Sequence, residues 1–184
     1  MQGTKLYFIA ILMPPEIANS VITIKEEFAA RFKSRHALKT PPHVTLQAPF
    51  YMSEKEEVEF RQQLSVFFER IPPFFLQFNN FASFKKKKFP VIYINPDKNE
   101  ELEVIHEDLM YFLRELNFPE EQTRISFHPH MTIANRDLTG DQFEAAWPEF
   151  ENRIFHAKFR VRQVHLLRHD GEKWEPVAYF KLGG

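Results

Sequence analysis

A chain of 184 residues, 43% hydrophobic and 27% charged, has the size of one domain and enough apolar surface to fold without a disulfide or a structural metal. It contains no cysteine, which excludes a disulfide scaffold, a thiolate nucleophile, a Cys-ligated zinc and an iron–sulfur cluster. Its five glycines have none of the spacings of a Walker A loop, a dinucleotide fingerprint or a nucleophile elbow, and a formal charge of −1 provides no broad basic footprint, leaving room for a small anion or one end of an RNA.

Lys5–Met13 reads as a strand buried on both faces. Its apolar run is too short to span a bilayer and poor as a signal peptide, so the expected location is the cytoplasm. Pro14 and Pro15 open a helix with Ile17, Val21, Ile24, Phe28 and Phe32 on one face. Thr40-Pro41-Pro42 breaks the chain before a strand over His43–Phe50. Ser53 and Glu56 form a capping box for a helix lined by Phe60, Leu64 and Phe67. Phe74, Leu76 and Phe78 share one face of a third strand. Lys85–Lys88 reads as a loop tip between Phe84 and Phe89, and Pro90–Asn95 as a fourth strand. Asp97 and Glu100 are expected to cap a helix that buries Leu102, Ile105, Leu109, Phe112 and Leu116. A fifth strand is expected over Phe127–Ala134, then a short helix capped by Thr139 and Gln142. Two last strands, Ile154–Arg168 and Lys173–Leu182, meet at an Asp170-Gly171 turn.

The order repeats. Each half runs strand, long helix, strand opening on Pro-His, helix, strand. Two copies of one α+β unit predict a single domain over 1–184 with two lobes.

Both Pro-His strands carry the same motif, His-x-Thr-aliphatic: His43-Val44-Thr45-Leu46 and His130-Met131-Thr132-Ile133. Residues i and i+2 of a strand share a face, so each motif sets an imidazole beside a hydroxyl. Two such strands facing one cleft supply what phosphodiester chemistry without a metal requires. One imidazole takes a proton, the other gives one, and two hydroxyls donate to oxygens where charge builds up. Half-buried His and Thr at strand starts are common, and either motif alone would read as structural. A three-His metal site from His43, His128 and His130 is a further alternative.

The paired motifs, 87 residues apart, resemble the 2H phosphoesterase superfamily, in particular its bacterial 2′-5′ RNA ligase and RNA 2′,3′-cyclic phosphodiesterase-like branch. The resemblance implies an α+β bilobal fold with two antiparallel sheets flanked by helices and a cleft between them. It implies metal-independent hydrolysis of a 2′,3′-cyclic phosphate at an RNA end or on a nucleotide, or the related 2′-5′ ligation, with no cofactor. It carries the catalytic role onto His43, Thr45, His130 and Thr132, with His130 as general base and His43 as general acid in hydrolysis. Arg136, just after the second motif, is the expected phosphate contact. Phe50, Tyr51 and Phe127, the aromatics nearest the motifs in sequence, are expected at the cleft rim to stack a base. Lys86 is expected in a basic loop that touches the nucleic-acid backbone. The expected partner is an RNA end or a cyclic nucleotide, and the expected state a monomer. The second reading is a nucleotide- or RNA-end-binding module with the same anion site and no turnover.

Overall fold

The computed structural model describes residues 3–86, 88–124 and 126–183. Eight strands and five helices follow in the order β1 (Thr4–Leu12), α1 (Pro15–Phe32), β2 (His43–Ser53), α2 (Glu54–Glu69), β3 (Phe74–Phe84), β4 (Val91–Pro96), α3 (Glu100–Glu115), α4 (Glu120–Thr123), β5 (Met131–Ala134), α5 (Gly140–Glu151), β6 (His156–Val161), β7 (Gln163–His169) and β8 (Trp174–Lys181). A 3₁₀ turn, His36–Lys39, lies between α1 and β2.

The strands form two antiparallel four-stranded sheets, ordered β2-β1-β7-β8 and β5-β4-β3-β6. This is the expected two-sheet α+β architecture, with one difference in how the chain builds it. The first sheet takes strands from both ends of the sequence. The run Ile154–Arg168 is not one strand: it breaks at Arg162, and β6 pairs with β3 while β7 pairs with β1. No Gly or Pro marks that change of sheet, so local composition carries no sign of it. The two His-x-Thr strands, β2 and β5, occupy equivalent edges, each beside the first strand of its own half.

Strand β1 shows how one segment serves two environments. Tyr7, Ile9 and Ile11 face the main core. Phe8 and Ala10 face the other way, into a small cluster with Leu167, Leu12 and Trp174. Period-2 alternation with both faces covered is what makes the run uniformly apolar.

Helix starts follow their caps. Ser53 and Thr139 each accept from the N3 backbone amide and receive the N3 side chain on their own amide. Helix α3 is capped by Asn99, whose Oδ1 accepts from the Leu102 amide at 2.7 Å. Asp97 instead accepts both bonds from Asn79 Nδ2, at 2.6 and 2.7 Å, so the expected Asp97 cap is corrected. Strand β5 is shorter than expected, starting at Met131, because Pro129 has no N–H to give a ladder. At the β7–β8 turn, Asp170 Oδ1 accepts from the Glu172 and Lys173 amides at 2.8 Å each, and Gly171 takes φ 112°, a conformation that favours glycine.

Candidate active site

Both motif strands deliver their side chains to one cavity of about 170 Å³ between the sheets. Its wall includes His43, Thr45, His130 and Thr132. In the first sheet, His43 lies opposite Leu12 and Thr45 opposite Ala10, which sets both motif residues on the Phe8/Ala10 face of β1. In the second, Thr132 lies opposite Tyr93. Val44 and Met131, the intervening residues, are fully buried in the main core. The i, i+2 spacing therefore separates a chemical face from a packing face on each strand.

The two imidazoles are held alike. His43 Nδ1 lies 2.7 Å from the Pro41 carbonyl oxygen, and His130 Nδ1 lies 2.7 Å from the His128 carbonyl oxygen. A carbonyl only accepts, so Nδ1 carries the proton in both rings and Nε2 is left with its lone pair. Each ring also rests on aromatics of its own sheet. His43 packs on Phe8 with centroids 5.1 Å apart, and His130 on Phe84 and Tyr93 at 5.3 and 5.4 Å. Burial pushes His43 down to about 4, with nearby Lys25 and His130 adding to the depression and the Pro41 bond opposing it. Burial likewise lowers His130, with Lys86 and His128 adding to the effect and the His128 carbonyl opposing it. Without a ligand, His43 is neutral at pH 7.

The other sequence-predicted residues divide. Arg136, exposed and in the left-handed region at φ 54°, lines the same cavity. Phe127 and Lys86 line an adjoining cavity of about 430 Å³, with Phe84, and this cavity shares Thr45 and His130 with the first. Phe127 is stacked on His106 at 3.9 Å with the rings 8° apart. Lys87 lies outside the described residues. Phe50 and Tyr51 do not reach the cleft, which corrects the expectation for both. Phe50 is 3% exposed, packed among Tyr7, Phe60 and Phe118. Tyr51, 72% exposed, lines a separate groove with Phe60 and Phe118. A strand rises about 3.3 Å per residue, so Phe50 and Tyr51 end up roughly 25 Å along β2 from His43. The three-His alternative has no geometric support: among the described residues no group of three His, Asp or Glu side chains is placed to hold a metal.

Four further residues shape the site and carry no motif. Phe8 and Trp174, which meet edge to face at 4.6 Å, form one wall of the cavity. Lys25 reaches it from α1. Asp137 fastens the second motif's loop to the segment between α1 and β2, accepting from Ser34 Oγ at 2.6 Å and from the Arg35 and His36 amides at 2.7 and 2.9 Å. Lys25 had a sequence signal: with Val21, Ile24 and Phe28 it completes an i, i+3, i+4, i+7 face, an apolar stripe with one lysine in it.

Two antiparallel sheets with a His-x-Thr pair on the inner edge of each define a two-lobed α+β protein of the 2H phosphoesterase type. The chain belongs to the 2′-5′ RNA ligase superfamily, whose family model matches residues 13–173. Among curated relatives, a Geobacillus kaustophilus protein named as an inferred phosphoesterase is 29% identical over 179 residues, covering 97% of this chain and 96% of its own. The RNA 2′,3′-cyclic phosphodiesterase of Bacillus subtilis is 28% identical over 185 residues, covering 96% of each. Among solved structures, Escherichia coli LigT in complex with 3′-AMP superimposes with a TM-score of 0.70 at 17% identity, covering 99% of this chain and 100% of LigT. Among the described residues no helix is long and apolar enough to cross a membrane.

Proposed function

We propose that this protein hydrolyses 2′,3′-cyclic phosphates at RNA ends or on nucleotides by two-histidine acid–base catalysis. The observation that carries the reading is the matched pair of imidazoles. Each is locked by a carbonyl two residues upstream, and both line one cavity with two threonines. His130 takes a proton from water, and the hydroxide attacks phosphorus. The bond from phosphorus to one ribose oxygen breaks, and His43, protonated at Nε2 from solvent once the phosphate anion is bound, gives that proton to the oxygen and returns to its neutral form. The product is a phosphomonoester beside a free hydroxyl; the water proton is left on His130, and exchange with solvent returns His130 to neutral and His43 to its charged form. Thr45 and Thr132 donate to the non-bridging oxygens as charge develops, and Arg136 contacts the phosphate. In the ligation direction the histidines exchange roles. The adjoining cavity, with Phe127, Phe84 and Lys86, suits a nucleobase and its neighbouring backbone.

The Bacillus subtilis relative's name and the nucleotide bound to LigT support this substrate class. Two imidazoles and two hydroxyls cover proton transfer and charge stabilisation together, so a metal has no task left in the scheme. The test is turnover of a panel of 2′,3′-cyclic nucleotides and cyclic-phosphate-ended RNAs in the presence of EDTA. Hydrolysis that survives chelation supports the proposal. Loss on chelation with recovery on adding zinc or manganese overturns it. Tight binding without turnover moves the protein to the second reading, a nucleotide- or RNA-end-binding module.

A further inference from the structure

Lys25 is 3% exposed and sits on the face of α1 that also buries Val21, Ile24 and Phe28. Its Nζ donates to the Ala37 carbonyl at 2.9 Å and to the Thr40 carbonyl at 3.0 Å. An ammonium has three N–H groups, so one is uncommitted. No carboxylate lies within ion-pair distance of it among the described residues. A buried charge without a counter-ion is costly, and two carbonyls replace only part of its hydration. The same side chain lines the cavity that holds His43, Thr45, His130 and Thr132.

We infer that Lys25 is a substrate-binding residue: its remaining N–H donates to a phosphoryl oxygen, and the bound anion is the counter-ion that the fold itself withholds. The inference rests on the reading of this cavity as a phosphate site and adds to it a fixed charge from α1, which lines the same cavity as Arg136 but is held by a helix rather than a loop. Loop tethering alone would need only the two carbonyl bonds, and a neutral donor would make them without the cost of a buried charge. The charged and titratable groups that share the cavity with Lys25 are His36, His43, His130 and Arg136, none of them acidic. Burial pushes the lysine down to about 8, within reach of titration, and an anion beside it would raise that value.

Sulfate is the probe, because it keeps both charges across the pH range used. In the wild-type protein carrying ¹³Cε-lysine, the Lys25 resonance is expected to titrate near pH 8 without ligand and at least one unit higher with saturating sulfate. By linkage, sulfate affinity should fall between pH 8 and 9.5, above the histidine range, approaching tenfold per unit. Lys25→Met should weaken sulfate binding at pH 7 by at least about tenfold. Should that variant fail to fold, the wild-type titration stands alone as the test. A Lys25 resonance unmoved by sulfate, or equal affinity in wild type and a folded Lys25→Met, overturns the inference and leaves the lysine as a tether between α1 and the loop before β2. A wild-type protein that binds no sulfate at any pH overturns the phosphate-site reading together with it.

Discussion

Binding of an anion in the cleft should draw a proton onto the protein. With its pKa pushed to about 4, His43 is protonated in roughly one molecule in a thousand at pH 7. A general acid must be charged before it can donate, so the ligand has to raise that pKa by about three units, or about 4 kcal/mol. The cavity can supply this: two unit charges about 4 Å apart at an effective dielectric near 20 interact by about 4 kcal/mol. The assay is titration calorimetry with sulfate at pH 7 in two buffers of different ionisation enthalpy, which counts protons taken up per ligand. A pKa raised to about 7 gives an uptake of about half a proton at pH 7, rising toward one near pH 6. The sign follows for affinity as well. The free site binds no proton and the filled site binds up to one, so sulfate should bind more tightly as the pH falls from 7 toward 5.5, by up to tenfold per unit. His43→Asn places an amide nitrogen near the position of Nδ1, preserving the bond to the Pro41 carbonyl while removing Nε2, and should abolish most of the uptake. Sulfate that binds with no proton uptake in the wild type would refute the reasoning.

Two further outcomes follow from the same geometry. Asp137→Ala removes three bonds to Ser34, Arg35 and His36 and should destabilise the fold by about 1–2 kcal/mol in urea, since charged hydrogen bonds on a partly exposed carboxylate sit at the low end of their range. Acid should unfold the protein early. Burial holds His106 at about 4 against an unfolded value of 6.5, so between those values the unfolded chain binds the proton and the folded one does not. Stability is then full above pH 6.5 and falls by on the order of 3 kcal/mol as the pH drops to 4 from this residue alone, read as a falling urea midpoint. A midpoint flat over that window would contradict it.

The shared face of His and Thr on each motif strand was legible because strand geometry is local. A two-residue repeat fixes which side chains share a face, and a repeated tetrapeptide after Pro marks equivalent strands. Capping boxes at Ser53 and Thr139 were legible for the same reason. What escaped depends on partners distant in sequence. The change of sheet at Arg162 is set by which edges are free, at β1 and β3, and nothing within a few residues encodes it. Phe50 and Tyr51 looked close to the site because distance along the chain stood in for distance in space. Lys25 and Phe8 reach the cleft, and Asp137 meets Ser34, only after α1, β1 and the loop after β5 have packed together. Asp97 and Asn99 differ by a two-residue offset at a helix start, where several polar residues compete to cap.

On the proposed mechanism two imidazoles, one from each sheet, perform the chemistry on a cyclic phosphate. The most direct measurement is the rate of ring opening of a 2′,3′-cyclic-phosphate-ended RNA in EDTA, for wild type, His43→Ala, His130→Ala and the double variant. Turnover should persist in EDTA and fall by roughly 10²–10⁴-fold in each single variant. The double variant should lose less than the product of the two losses, because the histidines act in one proton-transfer sequence. Thr45→Val and Thr132→Val should cost less, about 10–10³-fold, each removing one donor while leaving proton transfer intact. A wild-type enzyme that binds this RNA and never opens the ring, or single histidine variants as fast as wild type, would contradict the account.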